Sequence, residues 1–369
     1  MTSTPRLQTY SSERLTALLP MPALDTHKYA RGVLNLVAGS AHYPGAACLA
    51  ALAAQRSGAG YTRVITESTN VPFIQAYRAS FVVRSWAELT PAELVPSREG
   101  RPCAYAVGCG FDPESEPAAR ITATILERVE APVVVDGGAL AFAATGRGMH
   151  LLQRRHMLGR PTVLTPHAGE AARLVHTMMA CSEQTIAGAD ALKERSELKG
   201  SGNFKGSGES KELDASKEVD VSGEPDMSED PAQRACALAR AYGAIVVLKG
   251  PNTYISNGKD VVLVDCGTPA LAKAGTGDVL SGMMGALLAQ GMDPMDAAVL
   301  AVTLHAQAGR AAAALYTEIC VTPEDVIEAI PQAVKAVANA SDAAISRNPE
   351  GAKHEGGKAV TRGGNHGKR

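Results

Sequence analysis

Ala270-Leu271-Ala272-Lys273-Ala274-Gly275-Thr276-Gly277-Asp278-Val279-Leu280-Ser281-Gly282 is the stretch around which the chain is organised. The apolar residues that follow the glycines, Val279, Leu280, Met283, Met284, Leu287 and Leu288, recur at helical spacing. That predicts a helix with Gly275-Thr276-Gly277 at its mouth. The first N–H groups of a helix lack internal partners and the dipole is positive there, so the mouth attracts anions. Glycine lets a phosphate come close to the backbone. Asp278 falls in the first turn, where a carboxylate would take a proton beside a bound phosphate. An acid at that position also favours the helix start by roughly 0.3–1 kcal/mol without any chemistry. The coincidence of the glycines, Thr276, Asp278 and a long apolar helix favours the catalytic reading.

Outward from this stretch the chain alternates strand and helix. Val33-Leu34-Asn35-Leu36-Val37-Ala38 is an apolar run ending at Gly39-Ser40, and Pro44-Gly45 leads into an alanine-rich helix over about 46–57. Thr62–Thr66 is the next strand, completing a βαβ unit, which implies a parallel sheet covered by helices. The pattern recurs. Ala104–Val107 runs into Gly108-Cys109-Gly110, Pro132–Asp136 into Gly137-Gly138, Thr162–Thr165 into Pro166-His167-Ala168-Gly169-Glu170, and Ile245–Lys249 into Gly250-Pro251-Asn252-Thr253. Ligands of open α/β sheets bind at such C-terminal strand ends. Asn257-Gly258 between the apolar runs 254–256 and 261–264 predicts a hairpin. A short helix is expected over 11–20.

Composition narrows the field. The 369 residues are 45% hydrophobic with 4% aromatics, so the core is built from Ala, Val and Leu. A net charge of −2 gives no electrostatic case for nucleic acid or an anionic membrane. No run of 18 or more apolar residues suggests a membrane span, and Met1–Tyr10 lacks an apolar signal core. The seven scattered cysteines contain no CxxC pair, which suits reduced thiols and a cytoplasmic location. Residues 198–230 are rich in Ser, Gly, Glu, Lys and Asp and are expected to be a disordered insertion. Residues 341–369 are expected to be a disordered tail. What remains, 11–335, is expected to be one α/β domain.

Individual motifs leave alternatives open. Lys249 at a strand end suits a nucleotide phosphate, or else is a solvated terminus. His167 suits a hydrogen bond to substrate, or else is a surface loop histidine. His305, on the apolar helix 297–314, reads as a satisfied core or interface histidine. Asp136 reads as a cap of the following turn rather than a metal ligand, and no residue is assigned to a metal. There is no GxxxxGK[ST] P-loop and no G-x-S-x-G elbow, and Gly108-Cys109-Gly110 lacks the third glycine of a Rossmann fingerprint.

Taken in order, Val37-Ala38-Gly39-Ser40, Pro44-Gly45-Ala46-Ala47, Val107-Gly108-Cys109-Gly110, Asp136–Leu140, Leu164-Thr165-Pro166-His167-Ala168-Gly169-Glu170, Val247–Thr253 and Ala274–Asp278 resemble the ADP-dependent (S)-NAD(P)H-hydrate dehydratases of the ribokinase-like superfamily. The resemblance covers about 11–335 outside the insertion. It implies a three-layer αβα fold with a mostly parallel central sheet. It implies an enzyme, a hydro-lyase, that repairs NADHX and NADPHX, with ADP as phosphoryl donor (ATP in eukaryotic relatives), Mg²⁺, and release of AMP and phosphate. Carried over by position, Lys249, Gly250, Pro251, Asn252 and Thr253 line the AMP portion, and Gly275, Thr276 and Gly277 meet the nucleotide phosphates. Asp278 touches the hydrate and acts as base, while Gly45, Ala46, Ala47, Gly108, Gly110 and His167 line the hydrate pocket. The family pattern G-P-G-L-G is here Gly108-Cys109-Gly110-Phe111-Asp112, and Ala274 replaces a glycine. The implied partners are an NAD(P)H-hydrate epimerase on a separate chain and further copies in a homotetramer. Two other readings are a ribokinase-like kinase for a vitamin alcohol such as hydroxyethylthiazole, and a nucleotide-sensing module that binds ADP without turnover.

Overall fold

The apolar runs pair into one ten-stranded sheet. Its strands are β1 (Arg6–Gln8), β2 (Val33–Val37), β3 (Tyr61–Thr66), β4 (Val82–Ser85), β5 (Cys103–Val107), β6 (Val133–Val135), β7 (Thr162–Leu164), β8 (Ile245–Leu248), β9 (Thr253–Ser256) and β10 (Asp260–Val264). The computed structural model describes residues 6–90, 101–182 and 230–347. The spatial order is β1-β10-β9-β8-β7-β6-β5-β2-β3-β4, and β9 alone among these strands runs against its neighbours. The chain leaves β2 towards β3 and β4, then returns to the other side of β2 with β5. That reversal between β2 and β5 is a topological switch point, where two loops diverge and open a crevice.

Helices cover both faces. On one lie α2 (Pro44–Arg56), α9 (Thr276–Ala289), α10 (Pro294–Cys320, broken at Thr317) and α11 (Pro323–Arg347); on the other lie α4 (Glu116–Arg128), α5 (Gly138–Ala143), α6 (Gly146–Met157), α7 (168–182) and α8 (Pro231–Tyr242). The short α1 (Ser12–Ala17) packs on α11, and α3 (Val71–Tyr77) lies beside β4. Strand residues alternate between the two cores as a period of two demands: Ala104, Ala106 and Val134 point to the α9 side, Tyr105, Val107, Val133 and Val135 to the other. Small residues line the α9 side because the helix sits close. A side chain at Gly282 would run into the Ala50 carbonyl, and one at Gly285 would meet Leu34 and Ala106. The α10 helix is long and apolar enough to cross a membrane by composition, yet 67% of that window is buried in this fold.

The expected boundaries need three corrections. The domain does not begin at residue 11: Arg6–Gln8 pairs in parallel with Asp260–Val262, and the Gln8 amide donates to Asp260 at 3.0 Å. Three residues are too few to show a pattern, and only the partner strand makes them a strand. The expected tail from 341 begins too early, since α11 continues to Arg347; Ala343, Ala344 and Ile345 are helix-compatible and prolong a helix already nucleated. Asp230, placed in the insertion, is instead the N-cap of α8, its side chain accepting from the Ala232 amide at 3.0 Å. The rest of the expected insertion, 198–229, and of the expected tail, 348–369, lies outside the described residues.

Candidate active site

Four adjacent strands end in a row at one edge of the switch-point crevice. The residues just beyond β5, β6, β7 and β8 include Cys109, Asp136, Thr165 and Lys249. Asp136 is the hub. Its Oδ1 accepts from Thr165 Oγ1 at 2.6 Å and from Lys249 Nζ at 2.9 Å, and its Oδ2 accepts from Ser281 Oγ at 2.6 Å. Ser281 comes from the second turn of α9, so one carboxylate ties three strand ends to the helix that carries Asp278. Asp136 is therefore not a turn cap. Gly137 occupies that position and α5 starts without a side-chain cap bond. Burial would raise the Asp136 pKa, but the Lys249 charge and the hydroxyl donors outweigh it and hold the carboxyl below its ordinary value.

Lys249 is not the solvated alternative either. Burial opposes its charge, while Asp136 and Glu170 more than offset it and keep the ammonium pKa above normal. His167 and Lys249 form a parallel bridge, with the Lys249 amide donating to the Pro166 carbonyl at 2.8 Å. His167 Nδ1 accepts from the Gly169 amide at 3.0 Å while Glu170 Oε2 accepts from the His167 amide at 2.8 Å. This reciprocal pair caps α7 in the manner of a capping box and holds the imidazole against the first turn of its own helix, Nε2 3.5 Å from Glu170 Oε1.

Asp278 sits in the first turn of α9, after Gly275 has turned the chain in the left-handed region (φ 96°). Its pKa is pushed up to about 7, first by burial and then by the neighbouring Asp136 charge, with Cys109 and Lys249 working the other way. A carboxylate poised near neutrality can both take and return a proton at physiological pH. Cys109 Sγ and carboxylate oxygens of Asp136 and Asp278 lie within 4.8 Å of one another. The donor set does not make a Mg²⁺ cage, since the ion wants oxygen ligands in an octahedron. One donor is a thiol whose pKa burial holds well above normal, and Asp136 already accepts three hydrogen bonds. Of the three, Asp278 is the carboxylate outside the Thr165, Lys249 and Ser281 bonds and the one that could hold a cation.

Beside the mouth of α9 opens a cavity of about 610 Å³. Lys249, Gly250, Pro251, Thr253, Thr276 and Gly277 line it, together with His167. Asn252 is exposed on the turn and outside the lining. The Thr276 hydroxyl bonds the carbonyls of Leu271 (2.7 Å) and Lys273 (2.8 Å), so it latches the turn before α9. A side-chain carbon at Gly277 would stand 3.7 Å from Lys249 Nζ, filling the space a phosphate would use. His167, expected in the hydrate pocket, thus falls in this lining with Lys249, while the other candidates for that ligand, Gly45, Ala46, Ala47, Gly108 and Gly110, lie apart from it, around the switch point. Nothing stands within 4 Å of where a Gly45 side chain would be. Ala47, by contrast, is fully buried in the core, leaving only its backbone for a ligand. Gly108 and Gly110 have reasons of their own: a side chain at Gly108 would strike the Asp136 carbonyl, and one at Gly110 (φ 67°) would come within 2.6 Å of the Tyr43 carbonyl.

The family model described as NAD(P)H-hydrate dehydratase matches residues 34–199 and 217–332, which takes in every site element above. The chain belongs to the NAD(P)H-hydrate dehydratase family. Among relatives of this dehydratase family, the bifunctional NAD(P)H-hydrate repair enzyme Nnr of Thermofilum pendens is 29% identical over 340 residues, 89% of this chain and 55% of that protein. This chain thus spans little more than half the length of that relative. The ADP-dependent (S)-NAD(P)H-hydrate dehydratase of Xanthomonas campestris pv. campestris is 28% identical over 313 residues, covering 83% of this chain and 89% of its own. The crystal structure of the ADP/ATP-dependent NAD(P)H-hydrate dehydratase from Bacillus subtilis, grown with ATP/Mg²⁺, superposes with a TM-score of 0.62 at 26% identity, covering 91% of this chain and all of that one. Structural neighbours of this family member share the ribokinase-like fold, as the sequence implied.

Sequence reasoning missed Asp136 as hub, Ser281 and Thr165 as its partners, and the setting of His305. Asp136 lies 113 residues from Lys249 and 145 from Ser281, so nothing local joins them. A polar residue ending each of several parallel strands was the available signal.

Proposed function

We propose that this chain dehydrates (6S)-NADHX and (6S)-NADPHX to NADH and NADPH at the expense of ADP, releasing AMP and phosphate. The observation that carries the reading is Asp278: a half-buried carboxylate with a pKa near 7, set between a nucleotide-sized cavity and the switch-point loops. With ADP in the cavity and the hydrate at the loops, the hydrate hydroxyl lies beside Asp278. Asp278 takes its proton as the oxygen bonds to the terminal phosphorus of ADP, and the bond from that phosphorus to AMP breaks. The C–O bond to the new phosphate then breaks, driven by the lone pair of the ring nitrogen, and a proton leaves the adjacent ring carbon. Hydroxide is a poor leaving group at neutral pH and phosphate a good one, which is the reason for spending a nucleotide. Lys249 and the α9 mouth supply positive potential where the phosphates carry charge. Mg²⁺ bound to the phosphates would neutralise further charge, with Asp278 the available protein oxygen. The reading includes two partners, an epimerase on a separate chain and further copies in a homotetramer.

The test is to incubate the chain with NADPHX, Mg²⁺ and either ADP or ATP. Reduced-nicotinamide absorbance should reappear in step with AMP and phosphate from ADP. Accumulation of a phosphate ester, with no reduced nicotinamide, would place the chain among the kinases. Nucleotide binding without consumption would make it a sensor.

A further inference from the structure

His305 stands on α10 facing the cavity, 7% exposed, and its Nε2 has no hydrogen-bond partner in the protein. Its place on an apolar helix implies a satisfied core or interface histidine; the structure shows a buried polar atom left open at a cavity wall. Burial pushes its pKa down to about 4, against a backbone hydrogen bond at Thr276, so the ring is neutral at physiological pH. Of the other lining residues, Val302 and Ala306 on its own helix and Leu271 and Leu280 offer no side-chain polar atom, and Thr276 meets the ring through its backbone. The cavity therefore has two unlike parts. One holds an ammonium and a helix mouth, suited to phosphates. The other is walled by Val302, Ala306, Leu271 and Leu280; His305 stands where the two meet, bonded to the Thr276 backbone, with its Nε2 open, which suits a flat heteroaromatic ring that needs greasy faces and one hydrogen bond at its edge.

We infer that His305 is the base-recognition residue of the nucleotide site, its Nε2 pairing with the edge of a purine held between the apolar walls. A buried imidazole nitrogen without a partner is costly, and a ligand that completes it recovers that cost. The assignment rests on the proposed nucleotide-dependent reaction and adds to it the part of the nucleotide that is read. His305→Phe keeps a ring and removes the nitrogen; His305→Gln restores a polar end. Titration calorimetry on the full chain would compare ADP, CDP and inorganic pyrophosphate.

The expected result is that His305→Phe weakens ADP about 3- to 10-fold, the range of a single hydrogen bond. It should narrow the preference for ADP over CDP, leave pyrophosphate unchanged, and be partly reversed by His305→Gln. Equal ADP affinity in wild type and His305→Phe overturns the assignment, as does equal weakening of ADP and pyrophosphate. If His305→Phe fails to fold, His305→Asn replaces it and is judged by the ADP-to-CDP ratio, an unchanged ratio overturning the assignment. Wild type that binds no ADP overturns the proposed reaction together with this inference. Wild type that consumes ADP beside an indifferent His305 variant overturns the inference alone.

Discussion

The two sides of the α9 mouth are built from different materials. The cavity side works through side chains, Lys249, His167 and His305, each with its charge or orientation set by a named neighbour. The switch-point side works through backbone, where Gly108 and Gly110 let two loops touch with no room for a side chain. Side chains tune charge and can be altered by degrees. Close-packed backbone sets shape and either fits or fails. Asp278 stands at the seam, its pKa raised first by burial and then by Asp136, which also fixes Lys249 on the cavity side.

The largest effect is expected at the seam. Asp278→Asn should lower kcat by about 10²–10⁴-fold, the span of general-base catalysis, with ADP affinity kept. The same change should stabilise the fold at pH 8. A carboxyl whose folded pKa is raised from 3.8 to about 7 loses stability as pH climbs through that window, and Asn has no charge to bury. A higher Tm at pH 8 but not at pH 4, with activity gone, is the expected signature. Normal kcat would reduce Asp278 to a helix-start residue.

Lys249→Ala comes next and acts first on the cavity side, reaching the seam only through Asp136 and the charge it withdraws from Asp278. It strands the buried Asp136 and should cost about 3 kcal/mol in urea unfolding. It should weaken ADP more than the hydrate in parallel titrations, and adding Asp136→Asn should recover part of the stability. Equal loss for both ligands would dissolve the distinction between the two sides. The pH profile is a smaller test. Because the base must be ionised, kcat/KM should fall about tenfold from pH 8 to pH 6, with a limb near 7 that Asp278→Asn abolishes. The smallest effect sharpens the backbone side. Gly110→Ala should lose roughly 1–3 kcal/mol, from the left-handed backbone and the Tyr43 carbonyl. Gly45→Ala should stay within about 0.5 kcal/mol, since open space surrounds it. Any loss of hydrate affinity in Gly45→Ala then reports the ligand and not the fold.

The parallel strands β2, β3, β5, β6, β7 and β8 were legible as apolar runs ending in glycine or a polar residue; β4 was not, since Val82-Val83-Arg84-Ser85 holds only two apolar residues. Asn257-Gly258 gave the hairpin for a local reason: the Asn257 side chain accepts from the Lys259 and Asp260 amides, both at 2.9 Å. Strand β1 was illegible because only a distant partner defines it. At the site, the α9 mouth and the strand ends could be read in sequence, as their chemistry is carried by consecutive residues. The Asp136 hub could not, since its partners come from β7, β8 and α9. His305 was misread because an apolar helix suggests core, and only the cavity beside it shows that the ring has a free edge.

The pairing of β1 with β10 has a consequence for how the chain is made. Gln8 and Asp260 are 252 residues apart. At about 5–20 residues per second, the first strand waits roughly 10–50 s on the ribosome before its partner is synthesised. Through that interval it is an unpaired strand beside a growing sheet, the situation in which edges find wrong partners. Its makeup, Arg6-Leu7-Gln8, is short and mostly polar, which makes it a poor template for another chain. Docking of β1 closes a very long loop and comes after the central strands in the order of folding. Its amide protons should accordingly exchange ahead of those in β5 and β6.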